Sequence, residues 1–312
     1  AAGTVAAGGT LGILIPPSIL AIIYAVVAQA SVGELYLGAV LPGLLLSGLY
    51  MAYALIRCYI NPALGPALPK EERVSMKEKL LLLRNMIAPI ILIALVLGLI
   101  FTGAATPVES AGVGSFGAMV VAAMHRRLTF AAIKEASFIC IRNSALVLWI
   151  MFGASIFVAF YVLQGGGEFV SNLILGTGLP PYGILLMMMI ILIFLGMFLD
   201  WVGILLLAVP IFVPIVMSLP FEGLFGIPGP QGPEIALWFG VIYLVNMQMS
   251  FISPPYGPAL FSLRGTTPME IPTSTIFASS LPFIFLQAVG LAMCIIFPAL
   301  TLYLPRLAFG NL

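Results

Sequence analysis

MSFISPPYGPALF, residues 249–261, lies inside an apolar segment long enough to cross a bilayer. Yet it carries Ser250, Ser253, the adjacent Pro254 and Pro255, and Gly257, where a continuous helix would want none of them. Proline removes a backbone donor and glycine weakens a helix. At membrane depth the freed groups have no water to bond, and each costs several kcal/mol unless protein, water or an ion satisfies it. GGTLGILIPPS, residues 8–18, has the same character near the start of the chain. Two such breaks in corresponding parts of one membrane chain point to the binding site of a transporter.

The composition sets the class. The chain is 62% hydrophobic and 7% charged, with a mean hydropathy of +1.20. No soluble core needs that much apolar surface, so an all-α polytopic membrane protein is expected. A net charge of +1 gives no footprint for nucleic acid. Cys58, Cys140 and Cys294 are far apart and fit neither a disulfide framework nor a metal spacing. His125, the only histidine, sits beside Arg126 and Arg127 and reads as a loop residue. One histidine leaves no transition-metal site and no serine–histidine triad, so no enzyme and no cofactor is expected. The opening AAGTVAAGG already reads as the middle of a span, so the sequence is expected to begin part-way through a longer protein.

The remaining spans follow from hydropathy and charge. Residues 57–84 hold six of the twelve Lys and Arg, and residues 125–142 hold four more. The end of the first, SMKEKLLLLRN at 75–85, and LTFAAIKEASFICIRN at 128–143 alternate charge with apolar residues at helical spacing, which suits amphipathic helices at the membrane surface. Two spans lie between them, so both face one side, the cytoplasm by the positive-inside rule. Residues 179–219 are almost unbroken hydrophobicity interrupted by Gly196, Asp200 and Gly203. That length suits two full spans or a re-entrant hairpin with GMFLDWVG at its tip. The polar tip favours the hairpin, because an intramembrane carboxylate needs a partner. TPVE at 106–109 reads as a helix start, with Thr106 as N-cap and Glu109 completing a capping box.

The two ends of the chain resemble each other. Pro16 and Pro17 match Pro254 and Pro255, Glu34 matches Glu270, and Pro42 matches Pro282. In this topology the first broken span runs outward and the second inward, the inverted arrangement that supports alternating access. A broken helix offers free carbonyls and a helix N-terminus in one place. Carbonyls and hydroxyls suit a small hard cation, and helix N-termini suit a carboxylate. Gly9, Thr10, Gly12, Pro16 and Ser18 supply such groups in the first break. Ser250, Ser253 and Pro254 do so in the second, with Asn246 and Gln248 as polar neighbours. Asp200 balances a cation or carries a proton in one reading; in the other it is a hairpin-tip carboxylate satisfied by backbone N–H groups, and serines bonded back to their own helix explain the kinks.

At these residues the sequence resembles the large membrane subunit of tripartite ATP-independent periplasmic (TRAP) transporters. GGTLGILIPPS, GAATPVESAGVG, GMFLD followed by PIFVPI, and MQMSFISPPYGPALF are similar to that family's motifs. Ser110 replaces an alanine, and Ser253 replaces a threonine. The resemblance implies an elevator-type secondary transporter of the bacterial inner membrane, driven by Na+. A periplasmic binding protein would deliver an organic acid, and a small four-helix membrane subunit would complete the complex. Residues 1–30, 179–219 and 234–265 would form the transport domain. Residues 31–163, with arm segments near 72–84 and 126–142, and a final helix at 270–305 would form the scaffold. One Na+ site would pair a first hairpin with Gly9, Thr10, Gly12, Pro16 and Ser18. That hairpin and the family's N-terminal spans have no counterpart in these 312 residues. The other Na+ site would pair Gly196 and Asp200 with Ser250, Ser253 and Pro254. Substrate contacts are expected from Ser18, Asn246, Gln248 and Ser253. The alternative is a related ion-coupled anion carrier that needs no binding protein; an intramembrane enzyme or channel lacks any HExxH motif or paired intramembrane acids.

Overall fold

The computed structural model describes residues 2–66, 75–268 and 271–310. Among them the chain folds into helices, with one isolated bridge between Leu224 and Ile227. The helices are α1 (Ala2–Leu14), α2 (Ile19–Ala28), α3 (Val32–Ile60), α4 (Met76–Phe101), α5 (Pro107–Met124), α6 (Phe130–Leu163) and α7 (Gly166–Leu175). They continue as α8 (Pro181–Gly196), α9 (Trp201–Ser218), α10 (Glu234–Ile252), α11 (Pro258–Thr266), α12 (Thr273–Ile296) and α13 (Ala299–Phe309). Six of them, α3, α5, α6, α9, α10 and α12, are long and apolar enough to cross a membrane. The α1–α2 pair, bent by 42°, would make a seventh span. The chain is therefore an all-α polytopic membrane protein.

The chain divides into two compact units, Ala1–Ala54 with Val147–Leu312, and Leu55–Leu146. The larger unit is built around α10, whose residues are all buried except Ala236 and Phe251. A helix apolar on every face belongs in a core. Helices α1, α2, α8, α9, α11, α12 and α13 pack on it. Three polar links fix its N-terminal end. The Tyr24 hydroxyl donates to the Ala236 carbonyl at 3.1 Å, and the Trp238 indole donates to the Cys294 carbonyl at 3.0 Å. Arg306 donates to Glu234 through two nitrogens, at 2.7 and 2.6 Å. That carboxylate holds the Arg306 guanidinium charged, above its ordinary range. In the smaller unit α4 packs on α5, and Thr106 with Glu109 forms the capping box expected from the sequence.

Among α1, α2, α10 and α11 the packing is symmetric under exchange of α1 with α10 and α2 with α11: α1 packs on α10 and α11, and α10 packs on α1 and α2. Pro42 and Pro282 both lie inside helices, α3 and α12. Glu34 opens α3, while its match Glu270 lies outside the described residues. Both Pro–Pro bonds, 16–17 and 254–255, are cis.

Several elements differ from the reading of the sequence. The first break covers only residues 15–18, because α1 stays helical through Gly8, Gly9 and Gly12. Glycine weakens a helix by about 1 kcal/mol without ending it, whereas a proline pair removes two donors. The second break covers residues 253–257, and Ser250 remains within α10. Of the expected final helix 270–305, residue 270 lies outside the described residues, and the rest holds two helices, α12 and α13, parted at Phe297 and Pro298, where Phe297 leaves helical geometry. Of the segment 72–84, residues 72–74 lie outside the described residues, Ser75 precedes α4, and residues 76–84 form the start of α4. The segment 126–142 leads into the continuous α6.

Candidate ion and substrate site at the helix breaks

Helices α8 and α9 form a hairpin. Its open end is closed by Tyr182, at the start of α8, whose hydroxyl donates to the Glu222 carbonyl just beyond α9 at 2.8 Å. Along α8 the partners on α10 advance in the same direction, so the two helices run parallel. Tyr182 faces Trp238, Met189 meets Asn246, and Gly196 meets Ser250. The hairpin tip therefore arrives at the second break. There the Tyr256 amide donates to the Met197 carbonyl at 3.2 Å. A β-carbon at position 196 would fall 2.0 Å from the Ser250 hydroxyl oxygen, so only glycine permits this approach.

Each side chain at this junction has a definite role. Asp200 is the N-cap of α9, accepting from the Val202 amide at 3.1 Å. The Ser253 hydroxyl donates back to the Met249 carbonyl at 2.6 Å. Pro254 is half-buried beside it. Gly257 adopts a φ of 32°, a left-handed value that lets the chain re-enter helix at Pro258. Ser250 is different: it is buried, and its hydroxyl has no hydrogen-bond partner. It borders a void of about 10 Å3 with Gly196, Leu199, Trp201 and Pro258. That is room for about one water-sized guest.

The first break is more self-satisfied. The Ser18 hydroxyl donates to the Ile13 carbonyl and accepts from the Ala21 amide, capping α2. The Tyr36 hydroxyl donates to the Ser18 carbonyl at 3.3 Å. Pro16 is buried beside them. Thr10 donates to the Ala7 carbonyl at 2.8 Å within α1. Gly9 and Gly12 are exposed, and a β-carbon on either would meet nothing within 4 Å.

The expected site residues therefore fall into two groups. Gly196, Ser250, Ser253 and Pro254 gather where the hairpin tip meets the second break, and Asp200 follows at the base of α9. Gly9 and Thr10 line a separate cavity of about 410 Å3 between α1 and α11, with Ile13, Phe251, Pro258 and Ser262. Gly12, Pro16 and Ser18 line neither space. The expected substrate residues are deep. Asn246 donates to the Met189 carbonyl at 3.0 Å, leaving its side-chain oxygen without a partner. Gln248 is fully buried, and neither of its amide atoms is hydrogen-bonded. Such orphaned groups are costly unless something else satisfies them.

The structure adds residues that sequence reading passed over. Gln287, fully buried on α12, donates to the Thr10 hydroxyl at 3.3 Å, and its own oxygen is unpartnered. Tyr50 lies against the same pair without a well-formed hydrogen bond. Gln287 could have been found as a lone amide in an apolar helix, although its partner is remote in sequence.

Comparison with known proteins gives a consistent assignment. Residues 1–300 match the family described as tripartite ATP-independent periplasmic transporter, DctM component. The chain is 32% identical over 309 residues to the C4-dicarboxylate TRAP transporter large permease protein DctM of Pseudomonas aeruginosa, covering 98% of this chain and 67% of that protein. It is 29% identical over 313 residues to the sialic acid TRAP transporter large permease protein SiaM of Vibrio cholerae, covering 99% and 68%. It is 28% identical over 303 residues to the isethionate TRAP transporter permease protein DctMQ of Oleidesulfovibrio alaskensis, covering 97% and 45%. A match over nearly the whole chain, on a bundle of apolar helices with two proline-broken members, shows that this chain belongs to the DctM family of large TRAP permeases, multi-pass transport proteins of the bacterial inner membrane.

Proposed function

We propose that the chain is the permease subunit of a Na+-coupled importer of an organic acid. The observation that carries the reading is the junction of the α8–α9 hairpin tip with the second break. It offers a buried hydroxyl without a partner, a one-guest void and a nearby carboxylate. Oxygen donors without water suit a small hard cation, and a helix break is where such donors collect. Gly196 and Asp200 from the tip, with Ser250, Ser253 and Pro254 from the break, would hold Na+ here. The ion would supply positive charge and bind the tip to the break. Binding of the ion then orders the substrate surface, and the loaded transport domain moves against the scaffold as an elevator.

The tip explains its own position. Helix α8 is 16 residues long, about 24 Å at 1.5 Å per residue. That is short of the ~30 Å hydrocarbon core. Its tip meets a break beyond which α11 continues for nine residues. Both features favour a re-entrant hairpin over two full spans. Under the exchange of α1 with α10, the surface equivalent to the one this hairpin covers is the α1–α11 face. That face carries the open cavity lined by Gly9 and Thr10. A second hairpin of the kind found in the family would complete a second Na+ site beside it, with Gly9 and Thr10 from the cavity wall and Gly12, Pro16 and Ser18 from the adjoining first break.

The relatives' names speak for the substrate class: C4-dicarboxylate, sialic acid and isethionate are all organic acids. We assign an organic acid to this chain on that ground, with Ser18, Asn246, Gln248 and Ser253 as the polar groups toward it. A periplasmic binding protein would deliver it. A small membrane subunit, fused in relatives named DctMQ or separate, would complete the permease. The test is uptake into proteoliposomes holding the permease and its small subunit, with the cognate binding protein outside. Uptake that needs both Na+ and the binding protein is expected. Equal uptake in K+ would overturn the coupling, and equal uptake without the binding protein would favour the stand-alone carrier.

A further inference from the structure

We infer that the smaller unit carries a binding site for an anionic phospholipid, in the groove between α5 and the first half of α6. The groove encloses about 690 Å3. Small side chains create it: Ala118 and Ala122 on α5 face Ala132, Ala136 and Cys140 on α6. Residues four apart share a helix face, so these positions form two short-sided stripes with space between them. From Phe130, where α6 begins, to Cys140 the helix rises about 15 Å, the depth of one hydrocarbon leaflet, half the ~30 Å core.

The mouth of the groove is charged. Arg127 lines it at the turn between the helices. The turn is fixed by the backbone: the Arg127 amide donates to the Ala122 carbonyl at 2.8 Å, and Arg126 takes a φ of 55°. Among the described residues the Glu234–Arg306 pair is the one ion pair present, so Arg127 has no carboxylate partner there. Residues 125–142 hold Arg126, Arg127, Lys134 and Arg142 against Glu135 alone. An unpaired guanidinium at the end of an apolar channel matches one amphiphile in this setting: a lipid whose phosphate meets the fork and whose tail fills the groove. By the positive-inside rule the turn faces the cytoplasm, where anionic headgroups concentrate. No residue of α6 is buried within the chain, so this face needs an occupant from outside it.

The experiment uses the permease purified with its small subunit. Native mass spectrometry after exposure to mixed micelles would compare dioleoyl phosphatidylglycerol with dioleoyl phosphatidylcholine. Preferential retention of phosphatidylglycerol is expected, reduced about fivefold by Arg127→Gln, the weight of one basic residue at an anionic surface. Arg142→Gln, outside the groove, should leave retention unchanged. Ala136→Phe should abolish it by filling the channel. As a readout on the unaltered chain, exposed Cys140 should be shielded from maleimide by phosphatidylglycerol and not by phosphatidylcholine. Equal retention by wild type and Arg127→Gln, or equal shielding by both lipids, would overturn the site. So would shielding of Cys140 by the small subunit alone, which would make the groove a protein contact.

Discussion

The Ser250 side chain occupies the space that any β-carbon on Gly196 would need: the clash distance is 2.0 Å to its oxygen and 2.3 Å to its Cβ. The hairpin tip and the second break are thus seated on each other through one glycine. Gly196→Ala should force them apart. Overpacking of this kind costs about 1–3 kcal/mol. The variant should show a lower Tm and lose Na+-dependent uptake together. A variant with unchanged Tm and uptake would mean the contact is not maintained in the working transporter.

Asp200 offers a cleaner separation of structure from coupling. It caps α9 through the Val202 amide, and asparagine caps helices about as well as aspartate. Asp200→Asn should therefore keep Tm while weakening Na+ activation of uptake. Asp200→Ala should lose both, with a stability cost of about 1 kcal/mol. If Asp200→Asn retains the Na+ dependence of the wild type, the residue is only a cap and leaves the ion site.

The Glu234–Arg306 pair joins the start of α10 to α13 with bidentate geometry. Its energy is bounded by exposure, since the Arg306 side chain is 43% accessible. Water and salt screen such a pair, so its coupling should be on the order of 1 kcal/mol or less. A double-mutant cycle with Glu234→Gln and Arg306→Gln, read by thermal unfolding in detergent, would measure it. Coupling well above that range would show the pair to be far better desolvated in the assembled complex.

How much of this was legible before the structure follows from what kind of signal each feature leaves. The helix breaks at Pro16–Pro17 and Pro254–Pro255 were legible because proline acts on its own backbone, wherever the chain goes. Asp200 was legible because a carboxylate in an apolar run is conspicuous, and the Thr106–Glu109 box because it is local. The extent of the breaks was not: Gly9 and Gly12 relax a helix without ending it, and α1 runs through them. Nor were the long-range pairs. Gln287 meets Thr10 across 277 residues, and Arg306 meets Glu234 across 72. Nothing near either residue in the sequence encodes its partner. The central place of α10 was hidden for a related reason, since every apolar span looks alike until its neighbours are known.

Ser250 gives the sharpest test of the ion site, because structural and functional roles predict opposite signs. Its hydroxyl is buried without a partner, and such a group destabilises a fold by about 1–3 kcal/mol relative to one that is satisfied. Ser250→Ala removes the hydroxyl and leaves nothing new unpaired, so Tm in the absence of Na+ should hold or rise. If the oxygen is a Na+ ligand, the same variant should need on the order of tenfold more Na+ for half-maximal uptake, about the effect of losing one charge-assisted contact of 1.4 kcal/mol. Stabilisation of the purified permease by added Na+ should shrink in parallel, since a ligand stabilises only in proportion to how well it binds the folded state. A drop in Tm with unaltered Na+ response would instead mean that the hydroxyl bonds within the protein, and that the ion is held by other groups at the tip.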